Sequence, residues 1–488
     1  MKKIATVIIA GAILAVTVVL LVKIYPRLAP AQVTQAATTE EPSTAEGHEW
    51  LSIYFQGKKV GYTSTKVGQT KEGHRFESVM KMSMVVANEL KEIQMVAQVN
   101  TDADYRMKSY YMNMTTYGHA VVTSGEITGK KVRIVLNTQG LTRTQEIELD
   151  SAPYFHDAID VLIKKRKLKT GDSLTLPFYD IATQTPSTVK IKILGKDRLV
   201  IENRQCDALK VSINVLGMES FIWLDQNGRF LKESSPLGIE MIREDRAKAL
   251  AAVNPDELVD ILTFVSVKLD TLIPNPQQVT YMKLEVTGLD TVDLDLRGDF
   301  QKIIATKPLV IECSSPDLAT LSGTFTPGAA EMDFLKPSMY IQCEAGEIVS
   351  AARQIARDEK NKKVLVEKLT HWVYDNLKKR PTVSMPSAID VLKTMEGDCN
   401  EHSVLFAALA RALGIPTKIY VGLVNLGSAY YYHAWCSVYL GDWVPVDPTF
   451  DEFPANAGHL KLKEGELAEQ TKVLKVVGRV GIRVLEYR

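Results

Sequence analysis

The sequence predicts an α+β chain: an N-terminal membrane helix, an antiparallel β-rich region, and a compact C-terminal domain where helices give way to strands. Three observations predict it. Ile4 to Val22 carries no charge over 19 residues. From Trp50 to about Glu244 apolar and polar residues alternate, the period of a sheet with one wet face. Past Gly346 the period lengthens to three and four, as in a helix with one apolar face. A chain of 488 residues is too long for one ordinary domain.

Each part has its own signal. Lys2 and Lys3 precede the uncharged run, which at about 1.5 Å per residue just spans a hydrocarbon core. Lys23 and Arg27 follow at once, as in an uncleaved anchor. Ala29-Pro30-Ala31 offers the alternative, a cleaved signal. Residues 1–28 are therefore expected to be anchor or signal, with the bulk of the chain outside the cytoplasm and the membrane as a partner. Residues 29–47 are rich in Ala, Thr, Ser, Glu and Pro and read as a disordered linker.

Residues 48–253 read as a β-rich domain. Leu51 to Phe55 and Val60 to Val67 flank a turn at Gln56-Gly57-Lys58, and similar strands recur to Leu136. One helix interrupts them, Tyr154 to Lys165, with Phe155, Ile159, Leu162 and Ile163 on a single face. Phe221 to Phe230 is a hairpin turning at Asn227-Gly228. Residues 254–345 read as a small β region, with strands at Tyr281 to Thr287 and Leu309 to Cys313.

Residues 346–488 hold the informative stretch. Leu365, Leu369, Trp372, Val373 and Leu377 mark a helix that Pro381 closes. Ser387-x-x-Asp390 opens a short helix in the manner of a capping box, and Gly397 stops it. A buried helix then runs from Asn400 to Leu413, ended by Gly414 and Pro416. Strands follow at Lys418 to Val424, His433 to Leu440 and Trp443 to Asp447.

Composition narrows the chemistry. The 58 basic and 58 acidic residues balance, so no basic surface points to nucleic acid. The five cysteines, Cys206, Cys313, Cys343, Cys399 and Cys436, form no CxxC pair and no metal spacing. The eight histidines include no HExxH, so neither a metal nor a cofactor is expected. Cys399 is placed at the first turn of a buried helix, where free N–H groups and the helix dipole stabilise a thiolate. His433 opens one strand and Asp447 ends the next. A thiolate needs an imidazole for its proton, and the imidazole needs an acceptor to orient it. Cys436 is expected to pack, Trp435 and Trp443 to be core or cleft wall, His402, one turn after Cys399, to be structural or to support the site, and His459, beyond the motif, to be structural.

Gly397-Asp-Cys-Asn-Glu-His-Ser403, Leu409-Ala-Arg-Ala-Leu-Gly-Ile-Pro416, His433-Ala-Trp435 and Trp443-Val-Pro-Val-Asp-Pro-Thr449 resemble the bacterial transglutaminase-like core family. The resemblance covers roughly Leu365 to Leu462. It implies a papain-like α+β core with Cys399 as nucleophile, His433 as general base and acid, and Asp447 as orienter. It further implies a cysteine acyl-transfer enzyme that hydrolyses a peptide, protein or amide substrate of the cell envelope through a thioester. Two alternatives stay open: a cross-linking transglutaminase, and a non-catalytic binding module. Strand parity adds a geometric condition. A strict two-residue loop at Gly441-Asp442 would put His433 and Asp447 on opposite faces; an odd-length loop or a bulge restores a shared face.

Overall fold

A computed structural model describes residues 48–488, apart from 87–88, 117–118, 139–140, 183, 202–203, 216–217, 290–293, 299, 322–324, 380–386, 467–468 and 470. The described chain divides into two compact units, with the boundary in the sequence between Ile261 and Leu262.

The first unit is one antiparallel sheet of 14 strands, built from two meanders. Strands one to eight run in sequence order from His48–Phe55 to Leu141–Glu148, and six more run from Ser173–Asp180 to Ile239–Arg243. The first and last strands join the meanders, with Leu51 opposite Arg243 and Phe55 opposite Ile239. Alternation explains why these residues form strands. In Thr185–Ile201, Val189, Ile191 and Ile193 are buried while Lys190 and Lys192 between them face out. Between the meanders lie a turn of 3-10 helix, His156–Ala158, and a helix, Ile159–Lys165. They bury the face that the sequence predicts: Phe155, Ile159, Leu162 and Ile163. The predicted hairpin forms between Met218–Leu224 and Phe230–Ser234, with Gly228 at φ +75° in its turn.

The second unit layers helices on a sheet. Gly346–Ala356, Lys362–Asn376, Ala388–Thr394 and Cys399–Ala412 are its principal helices. The last is buried at every position from Cys399 to Arg411, because the other three helices pack on one side and strands on the other. The strands, in spatial order, are Val267–Lys268, Ala429–Tyr439, Thr417–Asn425 and His459–Glu464, with Trp443–Val446 also on the Ala429–Tyr439 strand. A second sheet of four strands contains Tyr281–Thr287 and Leu309–Ser314, and its far edge is the C-terminal strand Gly481–Tyr487.

The fold expectation needs correction. Strand outweighs helix, because the 14-stranded sheet fills the first unit and the larger helices gather in the second. The expected membrane helix, residues 4–22, lies outside the described residues. Among the described residues no helix is long and apolar enough to cross a membrane. The longest, Lys362–Asn376, has 15 residues and carries Lys362, Lys363, Glu367 and Lys368. The N-terminal anchor, the membrane as partner and the placement outside the cytoplasm rested on that segment, and the structure does not support them. Pro381 also falls outside the described residues; the helix before it ends at Asn376.

Candidate active site

The helix that begins at Cys399 is locked at its first turn. Asp398 is the N-cap, and its side chain accepts the Asn400 N–H at 2.9 Å. Glu401 reaches back to accept the Asp398 N–H at 2.9 Å, completing a capping box. That return path fixes Gly397. Its φ is +158°, and a Cβ there would lie 2.2 Å from the Glu401 side chain. The reading of Ser387 as a capping box is corrected, and the capping box falls instead on Asp398 and Glu401. Ser387 is an N-cap by position only, and its hydroxyl donates to Gln342 Oε1 at 3.1 Å.

The helix is stitched to the strand that carries His433. The Ala434 N–H donates to Cys399 Sγ at 3.1 Å, and the Ser403 hydroxyl donates to the Ala434 carbonyl at 3.2 Å. The Cys436 thiol points at the Ser403 carbonyl at 3.4 Å. Cys399 is thus the residue whose sulfur meets the backbone beside His433. Cys436 packs, as expected, and burial pushes its thiol well above the ordinary value.

His433 and Asp447 meet because the connection between their strands is odd. Tyr439 pairs with Trp443 and Cys436 with Val446, leaving Leu440, Gly441 and Asp442 as a three-residue loop. In this register residue 447 continues opposite 435, which has the parity of 433, so both side chains take the same face. His433 Nε2 donates to Asp447 Oδ2 at 2.6 Å. Cys399 and His433 are 1% exposed and Asp447 is 0%, so these contacts are little screened. Phe450 stacks on the His433 ring at 5.0 Å between centroids, and Trp435 flanks it at 6.2 Å.

One neighbour carries no sign in the sequence. His459, expected to be structural, donates from Nε2 to the same Asp447 Oδ2 at 3.0 Å. The Thr449 N–H donates to Asp447 Oδ1 at 2.8 Å. Burial would push the Asp447 carboxyl up, but the His433 charge and the His433 and His459 hydrogen bonds outweigh it and hold the group far below the usual carboxylate range. Only the sheet register brings His459 in: it pairs with Val424 on the Thr417–Asn425 strand, which also pairs with the His433 strand through Gly422. His402 bonds within its own helix turn and feels the charge of Asp447. Its Nδ1 donates to the Asp398 carbonyl at 2.6 Å, and burial pushes its pKa down to about 4, so it is neutral.

His433, Asp447 and His459 present ligand-type atoms within 4.8 Å of one another. The hydrogen bonds decide how they are used. Each imidazole Nε2 spends its proton on Asp447, so neither offers that nitrogen's lone pair to a cation.

The comparisons with known proteins follow the division of the chain. Residues 349–448 match the family described as the transglutaminase-like superfamily. This segment holds a transglutaminase-like domain. Residues 51–242 match a second family, described as a protein of unknown function (DUF3108). Comparison with curated proteins gave no match. Among solved structures, the chain is similar to a "Putative Cysteine Protease from Cytophaga hutchinsonii". The identity is 19%, over 43% of this chain and 86% of that one, with a TM-score of 0.29. It is also similar to a "Beta-barrel-like Protein of Domain of Unknown Function DUF1849 from Brucella abortus". Here the identity is 10%, over 41% of this chain and 97% of that one, with a TM-score of 0.32. The transglutaminase-like segment contains Cys399, His433 and Asp447.

Proposed function

We propose that the transglutaminase-like domain is a cysteine acyl-transfer enzyme that hydrolyses peptide, isopeptide or glutamine amide bonds. Residues 346–488 are assigned as the catalytic domain, with Cys399, His433 and Asp447 as its triad. Cys399 Sγ attacks the amide carbonyl as thiolate, and the carbonyl electrons move to oxygen. The Cys399 N–H, at the open end of its helix, is one donor to that oxyanion. Collapse breaks the C–N bond, and the protonated His433 gives the leaving amine its proton. A water then loses a proton to His433 and attacks the thioester, releasing the acid and restoring the thiol.

The observation that carries this reading is the 2.6 Å bond from His433 Nε2 to Asp447. It assigns the Nε2 proton to the carboxylate, so that Nδ1 is the nitrogen for proton exchange, while the next backbone N–H is already on Cys399 Sγ. Hydrolysis is preferred to amine transfer because a transferase must hold a second amine near the thioester. Asp451 is engaged by His371 at 3.0 Å, and Glu452 accepts from Asn456 at 2.7 Å. The test is to incubate the protein with a glutamine-containing peptide and excess cadaverine and to weigh the products. Deamidation or cleavage that Cys399→Ala abolishes supports hydrolysis. Predominant amine incorporation would overturn that preference, and no product of either kind would overturn the enzyme.

A further inference from the structure

His459 is more than a packing residue, and its hydrogen bonds say why. Nε2 faces Asp447 Oδ2 at 3.0 Å, and Nδ1 faces the Asn456 carbonyl at 3.0 Å. A peptide carbonyl only accepts. Asp447 already accepts from His433 and from the Thr449 N–H, so it too acts as an acceptor. Both ring nitrogens of His459 must then donate, and only an imidazolium has two N–H groups.

The surroundings hold that geometry. Glu452 Oε2 accepts from the Asn456 N–H at 3.1 Å and from its Nδ2 at 2.7 Å, which fixes the carbonyl that faces Nδ1. Trp435 meets the His459 ring edge-on at 5.1 Å. Gly422 clears the way on the strand between the two histidines: a Cβ there would lie 2.1 Å from the Leu460 carbonyl oxygen and 2.9 Å from the Trp435 ring. The charged and titratable groups around His459 are Asp447, Glu452 and His433, the last at 6.0 Å between ring centroids. Burial opposes a charge on His459, but the Asp447 bond and the charges of Glu452 and Asp447 outweigh it and raise the group above its usual value.

We propose that His459 is a positioning residue of this site: a fixed imidazolium that holds Asp447 ionised and aimed at His433, and so sets the pH range over which Cys399 reacts. The proposal rests on the thiol reading above. A bare carboxylate would bind the His433 imidazolium so firmly that it would give its proton to a leaving amine reluctantly. A cation on the far side of Asp447 weakens that hold without removing the hydrogen bond. Loss of the cation makes every nearby proton harder to release. Coulomb's law at about 6 Å and an effective dielectric of about 20–40 corresponds to a shift of about one to two pH units.

The test uses the full chain and two readouts. In protein labelled with 15N-histidine, the ring assigned to His459 by its loss in His459→Gln, or in His459→Asn should Gln not fold, should stay doubly protonated above the ordinary imidazole range. A neutral His459 at pH 6 would overturn the proposal. Second, the pH profile of Cys399 alkylation by iodoacetamide should move upward in His459→Gln, by at most about one to two units, the shift worked for the 6.0 Å between the two rings. A variant with less folded protein but an unmoved profile would make His459 merely structural and overturn the proposal. Ordinary thiol reactivity of Cys399 in the unmodified protein would defeat the thiol reading by itself, and the 15N signal would still decide the charge on His459.

Discussion

Replacing Asp447 by Asn keeps the volume and removes the charge on which two imidazoles converge. His459 is then a buried cation whose nearest anion is gone. Breaking a buried pair from one side costs about 3–5 kcal/mol. The lower end applies where Glu452, whose carboxyl burial pushes up, is ionised and offsets part of the charge. The second unit runs from Leu262 to Arg488. For a unit of about this size each kcal/mol moves Tm by about 2–4 °C, so its transition should fall by about 6–12 °C. The pH dependence has a definite sign. Asp447 is depressed, so its contribution is present above the usual carboxylate value of 3.8 and is lost as pH falls through the lowered one. His459 is raised, so its contribution is present below 6.5 and is lost as pH rises through the raised value. The gap between unmodified protein and Asp447→Asn should therefore be widest between about pH 4 and 6.5 and shrink above it. Differential scanning calorimetry at pH 5.5 and pH 9 measures it. Adding His459→Gln to Asp447→Asn removes the orphaned cation and should recover part of the lost Tm. A single variant within about 1 °C of the unmodified protein, or a double variant no better than the single, would refute the buried ion pair.

Three further outcomes are expected. Gly422→Ala should destabilise the second unit by about 1–3 kcal/mol, read as a lower Tm, because the new Cβ meets backbone at 2.1 Å and not a flexible side chain. Asp398→Ala should remove about 0.5–2 kcal/mol of helix capping and slow Cys399 alkylation at pH 6.5, as the first turn loosens around the thiol. Limiting iodoacetamide at pH 6.5 should label Cys399 ahead of the other thiols by peptide mapping. Burial pushes Cys313 up to about 12 and raises Cys343 and Cys436 as well, so preferential labelling of any of these would sink the assignment.

The parts of this site that were legible in the sequence are those set by local chemistry. Leu405, Leu409 and Leu413 announce a helix, Gly414 and Pro416 end it, and the helix observed is Cys399–Ala412. The spacing of Phe155, Ile159, Leu162 and Ile163 announces one apolar helix face, and all four are buried. What depends on register was not legible. The shared face of His433 and Asp447 turned on whether the loop held two residues or three, and Gly441-Asp442 suits either. His459 lies two strands away from His433, and no spacing in the chain encodes a neighbour brought in across an intervening strand. The same holds for Tyr281–Thr287, whose partner Gly481–Tyr487 comes from the other end of the unit. The N-terminal run was read on length and flanking charge alone, and nothing in the described structure supports a membrane helix.

The most direct measurement is to trap the acyl intermediate. The protein is mixed with an activated acyl ester, quenched in acid within seconds, and weighed intact before peptide mapping. Acylation at Cys399 should appear at near one group per chain, disappear on treatment with hydroxylamine, be absent in Cys399→Ala, and accumulate more slowly in His433→Ala. An unacylated Cys399, or the same slow adduct spread over Cys206 and the buried thiols, would contradict a thiol acyl-transfer enzyme.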